Sequence, residues 1–265
     1  MMKKNIISLI GCCLTLIGCC LTLMGCSHID EHERLIYVKP VDVQRAVLIE
    51  DFTGQRCVNC PNATDEIARL QAEYGSDNVI AVAIHSGPLA FYTNSRFLGL
   101  RTETGDAYYD YWSPELQPIG TVNRQGLSEY VSWSSKIREE LRKKASVDIA
   151  GEAVITDGRL VVKTSVTGVS GHTTGQLQLW VTENDITAFQ MMPDGTRNDS
   201  YVHNHVFRAA VNGTWGEAVS VAEGATVTRE HSLPLGDDWN ADNLEVVAFV
   251  YNDAGIANVK RFYIK

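Results

Sequence analysis

Ala46-Val47-Leu48-Ile49-Glu50-Asp51-Phe52-Thr53-Gly54-Gln55-Arg56-Cys57-Val58-Asn59-Cys60-Pro61 is the stretch whose reading decides the fold of the first half of the chain. Ala46 to Phe52 is apolar enough for a strand, with a polar start reaching back to Val43, and a C-x-x-C follows it directly. Ala63, Ile67, Leu70 and Tyr74 then recur at helical spacing until Gly75 ends the run. After a turn at Asp77-Asn78, Val79 to Ile84 is a short all-apolar run of the kind covered on both faces of a sheet. Strand, helix and strand at this spacing predict a crossover unit with a parallel sheet. The cysteine pair then sits at the N-terminus of the helix, where partial positive charge favours a thiolate.

This arrangement resembles the thioredoxins. Asp51-Phe52 stands six residues before the first cysteine, as their buried carboxylate does, and Gln117-Pro118-Ile119-Gly120-Thr121-Val122 is similar to their cis-proline element. Arg56 replaces the usual tryptophan before the first cysteine, and Val58-Asn59 replaces the usual Gly-Pro between the two. The resemblance implies that Cys57 attacks a disulfide, Cys60 resolves the mixed disulfide, Asp51 helps to deprotonate Cys60, and Pro118 faces the pair. Glu50, one residue earlier on the strand, is expected to face the other way. Bringing a cysteine from about 8.5 to about 7 takes roughly 2 kcal/mol of thiolate stabilisation, and a partly buried helix N-terminus supplies up to about 2. Arg56 adds to this if its side chain turns toward the sulfur.

Two other readings of the pair stay open. One is an inert staple in an oxidising compartment, although closing so short a loop contributes only roughly 2 kcal/mol, against nearly 5 for a loop of about 100 residues. The other is metal ligation together with His85, which closes the Val79 to Ile84 strand on the same sheet edge. His203-Asn204-His205 is a further candidate, since on a strand both histidines project to one face. The sequence offers no complete metal-ligand set, so His85, His203 and His205 are only weak candidates, and no cofactor is implied.

The N-terminus sets the compartment. Lys3 and Lys4 precede the apolar stretch Ile6 to Met24, which has the charged start and apolar middle of a secretory signal. Leu23-Met24-Gly25-Cys26-Ser27 is similar to the lipobox of bacterial lipoproteins, which implies cleavage before Cys26 and acylation of that residue. Cys19 is the competing register, but cleavage there leaves an apolar stub. Of the chain's seven cysteines, three survive removal of residues 1–25. Acyl chains at Cys26 hold a protein on a membrane, each buried methylene contributing about 0.8 kcal/mol. The acidic run Asp30-Glu31-His32-Glu33 lies in a tether over 26–36 and resembles an export tag to the outer face of the outer membrane. The formal net charge is −9, or −11 once the leader's two lysines are gone, which argues against nucleic acid as a partner.

Residues 37–145 form the expected thioredoxin-like α/β domain. Between Leu89 and Glu115 it carries an aromatic-rich insertion, read as partly helical packing over the sheet or as a rim near Cys57. It closes on a helix marked by Tyr130, Trp133, Ile137 and Leu141, ending in Arg142-Lys143-Lys144. From Ser146 the hydrophobic period changes to two, as in Leu160-Val162-Thr164-Val166 and Leu244-Val246-Ala248-Val250, with turn signals between the runs. About seven or eight strands in 146–265 predict an all-β antiparallel sandwich, immunoglobulin-like, with Gln190 to Ser200 as a mobile hairpin tip suited to partner contact.

The lipobox, Glu50-Asp51-Phe52-Thr53-Gly54, Val122-Asn123-Arg124 and Tyr201-Val202-His203-Asn204-His205 together resemble the twenty-eight-kilodalton-type outer-membrane lipoproteins of Gram-negative anaerobes. That resemblance implies an outer-membrane location, on the periplasmic or the cell-surface face, and a two-domain build. Two functions follow: thiol-disulfide exchange with secreted or surface proteins through Cys57 and Cys60, or a surface binding or adhesin-type role in which the pair is structural.

Overall fold

The computed structural model describes residues 43–265. The leader at 1–25, the tether at 26–36 and Cys26 lie outside them. Strand β1 (Val47–Thr53) is buried along its whole length and pairs in parallel with β2 (Val79–His85), from Val47 opposite Val79 to Thr53 opposite His85. Helix α1 (Cys60–Tyr74) makes the crossover between them; Pro61 fits its first turn, where no amide partner is needed, and Gly75 ends it at φ 92°. On the other side of β1, β3 (Ile119–Val122) runs antiparallel, followed by β4 (Leu127–Ser128).

Alternation along β1 divides the core. Val47 and Ile49 face α1, packing with Ala63, Ile67 and Leu70, and with Trp133 and Ile137 of helix α3 (Trp133–Glu140). Leu48 and Phe52 face the opposite way, toward Tyr108 of helix α2 (Glu103–Trp112). Helix α2 lies in the aromatic insertion and starts on Thr102, whose hydroxyl accepts the Gly105 amide at 3.0 Å. Its Tyr108 packs on Trp180 and Phe207, so this part of the insertion covers the sheet. Helix α3 stops at Glu140, short of Arg142-Lys143-Lys144, because tighter bonds from Arg142 N to Glu139 O and Lys143 N to Glu140 O close it. The Glu140 carboxylate is drawn inward instead, accepting from Asn123 Nδ2 and Arg45 Nη2.

The rest of the chain is ten strands: β5 (Val147–Thr156), β6 (Arg159–Gly168), β7 (Thr173–Glu183), β8 (Ile186–Met191), β9 (Arg197–His203), β10 (Val206–Ala210), β11 (Glu217–Val221), β12 (Thr226–Pro234), β13 (Leu244–Asn252) and β14 (Gly255–Tyr263). The molecule is mostly β, with a mixed sheet and antiparallel ones and few helices. The main sheet is ordered β14-β13-β7-β10-β2-β1-β3-β4, with β11 also on β7. It therefore runs from the first half of the chain into the second, through the parallel bridge Val206 to Ala83 and the bond from Ala83 N to His205 O. A second sheet, β12-β6-β5, stacks on β7 and β13; Val147, Leu160 and Val162 meet Leu179, Val246 and Ala248 between them. Strands β8 and β9 pair only with each other.

The corner between β3 and β4 ties the halves together. Asn123 and Arg124 both lie at positive φ, 51° and 56°, in the left-handed region that costs a residue with a Cβ. Asn123 Oδ1 accepts Leu48 N at 2.9 Å, and its carbonyl accepts Ile256 N at 3.2 Å. Arg124 Nε reaches Glu50 Oε1 at 2.6 Å, and the two side chains are 8% and 0% exposed. Its guanidinium also lies over the Tyr251, Phe249 and Trp180 rings at 4.1, 5.0 and 5.6 Å. Glu50 does face away from α1, with its partner supplied by this corner.

Removing one member of a buried pair strands the other charge, typically at about 3–5 kcal/mol. Urea unfolding of Arg124→Met is expected to show a loss of that order, with most of it recovered in Glu50→Leu/Arg124→Met. An equal loss in both variants would mean that the pair does not hold the corner.

Candidate functional site

Strand β1 delivers the chain to the cysteines through a constrained loop. Gly54 lies against the backbone of Leu89, whose carbonyl carbon is 2.5 Å from where a Cβ would stand, so a larger residue is excluded. Arg56 N donates to Leu89 O and Cys57 N to Gly54 O, which closes the turn before α1 begins at Cys60. Cys57 and Cys60 form a disulfide. Both residues are only 2% exposed. Arg56 does not turn to the sulfur; its guanidinium lies over the Phe91 ring at 5.1 Å, where a flat cation gains more than it would beside a neutral disulfide.

Asp51 stands on the face of β1 turned toward α1, opposite Ala83 on β2 and Gly120 on β3. It is 1% exposed and its Oδ1 has no hydrogen-bond partner. Burial pushes its pKa up to about 7. The Gln117–Pro118 peptide bond is cis and leads into Ile119, which pairs with Phe52 at the end of β1 from which the cysteine loop departs. Gln117 Nε2 donates to Thr53 O and Ser86 O at 3.0 Å each, pinning this segment to the ends of β1 and β2.

The second half of the chain closes the site. Gln190, on β8, donates from Nε2 to Cys57 O at 2.8 Å and Gly54 O at 3.3 Å, and Met191 N donates to Gln55 O at 2.9 Å. Tyr201 and His203, on β9, line a cavity of about 20 Å³ together with Cys60, Thr64 and His85. His85 and His203 meet edge to face, with ring centroids 5.2 Å apart, and both are buried. Burial holds the His85 imidazole well below the usual histidine range and brings His203 to about 4, so both are neutral at pH 7.

His85 therefore does lie at the cysteine edge, and His203 joins it. His205 does not share a strand face with His203, because β9 ends at His203 and His205 takes φ 57° before β10 begins. Among the described residues, no three His, Cys, Asp or Glu side chains converge as a metal set. Sequence reasoning missed Gln117, Gln190 and Tyr201. Gln117 adjoins the proline motif, Tyr201 opens the Tyr201–His205 motif and Gln190 begins the segment read as a hairpin tip, but nothing local signals that Gln190 is buried on β8 or that Tyr201 lies beside Cys60, since both depend on where the β8–β9 hairpin docks. The tip of that hairpin, Pro193-Asp194-Gly195, is exposed.

The outer membrane protein Omp28 family matches residues 105–265, more than half of the chain. This chain belongs to the Omp28 family. Its location is accordingly the outer membrane, and among the described residues no helix is long and apolar enough to cross one. The matched stretch contains Pro118, the Asn123-Arg124 corner and the β8–β9 hairpin, and it begins after Cys60. In fold, the chain is similar to HBP35 of Porphyromonas gingivalis, with 17% identity over 82% of this chain and 74% of that one and a TM-score of 0.65. A domain of the outer membrane lipoprotein Omp28 from the same organism is 24% identical over 46% of this chain and 89% of that one, with a TM-score of 0.33. No curated protein matches the chain significantly.

The Asp51 carboxyl has a sign that stability measurements can read. An unfolded aspartate loses its proton near 3.8, whereas this one keeps it to about 7, so native stability falls as pH rises from about 4 to 7. The full difference is on the order of 4 kcal/mol. Asp51→Asn is expected to raise the melting temperature by several degrees at pH 8 and to change it little at pH 4; equal shifts at both values would mean that Asp51 is not held protonated.

Proposed function

We propose that the protein is an outer-membrane lipoprotein anchored through Cys26, with a thioredoxin-like N-terminal half and an immunoglobulin-like C-terminal sandwich, and that Cys57 and Cys60 exchange disulfides with secreted or surface proteins. One observation carries the redox reading: an unpartnered Asp51, buried on the α1 side of β1, with its pKa near neutrality. A staple across so short a loop stabilises by roughly 2 kcal/mol. Keeping Asp51 there costs on the order of 4 above neutral pH. A staple gains nothing from a buried carboxyl that titrates, whereas proton transfer needs a group that gains and loses a proton near working pH.

The chemistry balances in two steps. The thiolate of a reduced Cys57 attacks one sulfur of a partner disulfide, forming a mixed disulfide and expelling the partner's other sulfur as thiolate. Cys60 then gives its proton to the carboxylate form of Asp51 and attacks Cys57, which re-forms the internal disulfide and releases the partner's second thiolate. Burial of both sulfurs requires the β8–β9 hairpin to lift first. It holds the cysteine loop through the Gln190 and Met191 bonds and a bond from Gln55 Nε2 to Phe189 O at 3.4 Å, and Phe189 stacks on Phe91 at 5.2 Å, but it shares no ladder with the main sheet.

Membership of the Omp28 family, matched over 105–265, supports the second reading, a surface binding protein with a structural pair. Trapping separates the two. Cys60→Ser is expected to accumulate mixed disulfides with envelope proteins on non-reducing gels, and Cys57→Ser to accumulate none. Absence of adducts in both variants favours the binding reading.

A further inference from the structure

We propose that a cleft on the face of the main sheet, beyond the end of α2, is a binding site for neutral oligosaccharides. This does not rest on the redox reading, since the cleft lies outside the cysteine site. Trp180 of β7 is covered by Tyr108, but α2 ends at Trp112, and the sheet face around Thr174 and Gln176 is left open. The resulting cleft holds about 890 Å³, within the range of about 300–1,000 Å³ usual for small-molecule sites.

Its wall is aromatic and exposed. Tyr111 is 67% and Trp215 42% exposed, and their rings lie 5.1 Å apart at 54°. Trp112 meets Tyr111 edge to face at 5.4 Å, and Tyr251 completes the lining. Single exposed aromatics need no explanation, but a contiguous group does. Two of the rings, Trp215 and Tyr251, are also held in place. Tyr108 Oη donates to Thr214 O at 2.6 Å and Tyr251 Oη to Trp215 O at 2.8 Å, so the backbone carrying Trp215 is gripped from two sides. Tyr251 in turn rests on the Arg124 guanidinium. Rigid rings bind at low entropic cost.

The floor is of the opposite character. Thr174 and Gln176 present hydroxyl and amide groups, and Ser220, whose Oγ bonds to His172 Nε2 at 2.8 Å, lies beside them. Charge is balanced: Arg124 is paired with Glu50, Arg229 Nε lies 3.7 Å from Glu217 Oε2, and Asp253 stands at the rim. Each arginine at the cleft has a carboxylate beside it, which disfavours a phosphate or polyanion, and the polar floor disfavours the apolar side chains of a peptide. A pyranose ring has an apolar C–H face that stacks on an aromatic ring and a perimeter of hydroxyls that bond to amide and hydroxyl side chains. That is the complement of this cleft.

The test is isothermal titration of the full-length protein in detergent against neutral hexasaccharides with glucose, mannose, galactose and N-acetylglucosamine backbones. At least one is expected to bind with Kd below about 1 mM. Trp215→Ala and Tyr111→Ala are each expected to weaken it by roughly tenfold or more. Tyr263→Ala, at a tyrosine on β14 that is 59% exposed, is expected to leave binding unchanged. Tyr111→Ala should also keep the wild-type melting temperature, since so exposed a ring adds little to folding. Failure of every hexasaccharide to bind, binding indifferent to both cleft substitutions, or binding of an extended peptide library in their place would overturn the proposal.

Discussion

A carboxyl buried in the middle of a sheet must either find a cation or keep its proton, and β1 carries two of them in succession. Because side chains alternate, Glu50 and Asp51 fall on opposite faces and meet the constraint in opposite ways. Glu50 is answered by Arg124, brought in from a corner whose backbone accepts two left-handed residues to place it. Asp51 is answered by nothing, and its proton stays on to about neutral pH. The first solution joins the two halves of the chain, since Arg124 also packs under rings of β7 and β13. The second leaves a titrating group on the side of the sheet where α1 and the cysteines sit.

Both candidate sites draw on both halves of the sequence. The cysteine loop belongs to the first half, yet Gln190, Tyr201 and His203 cover it from β8 and β9. The aromatic cleft mixes Tyr111 and Trp112 of α2 with Trp215 and Tyr251 from the second half. A continuous main sheet makes such sharing possible, and it gives the hairpin a reason to be separate: two strands paired only with each other can cover a site without being tied into the main ladder.

Legibility in the sequence followed the range of the interaction. The strand, helix and strand around the cysteines were readable because hydrophobic period and breakers act locally, and Pro118 was marked by its own motif. The period-two runs after Ser146 announced strands correctly. They could not announce that β10 would pair with β2, since one bridge between Val206 and Ala83 leaves no periodic trace. The sequence placed a boundary near Ala145, whereas the main sheet passes across it. Arg56 carries a charge that could favour a Cys57 thiolate, but Phe91, thirty-five residues later in the sequence, holds it elsewhere. Sealing of the cysteines was equally invisible, because it depends on hairpin docking rather than on any residue near them.

Exchange through Cys57 and Cys60, as we propose, is separated from a staple by the reduction potential of the pair, measured against glutathione or dithiothreitol buffers with the full chain. An exchanging pair has a value at or above about −270 mV, where exchange proteins lie. A value below about −300 mV, the range of structural disulfides that resist reduction, would contradict exchange.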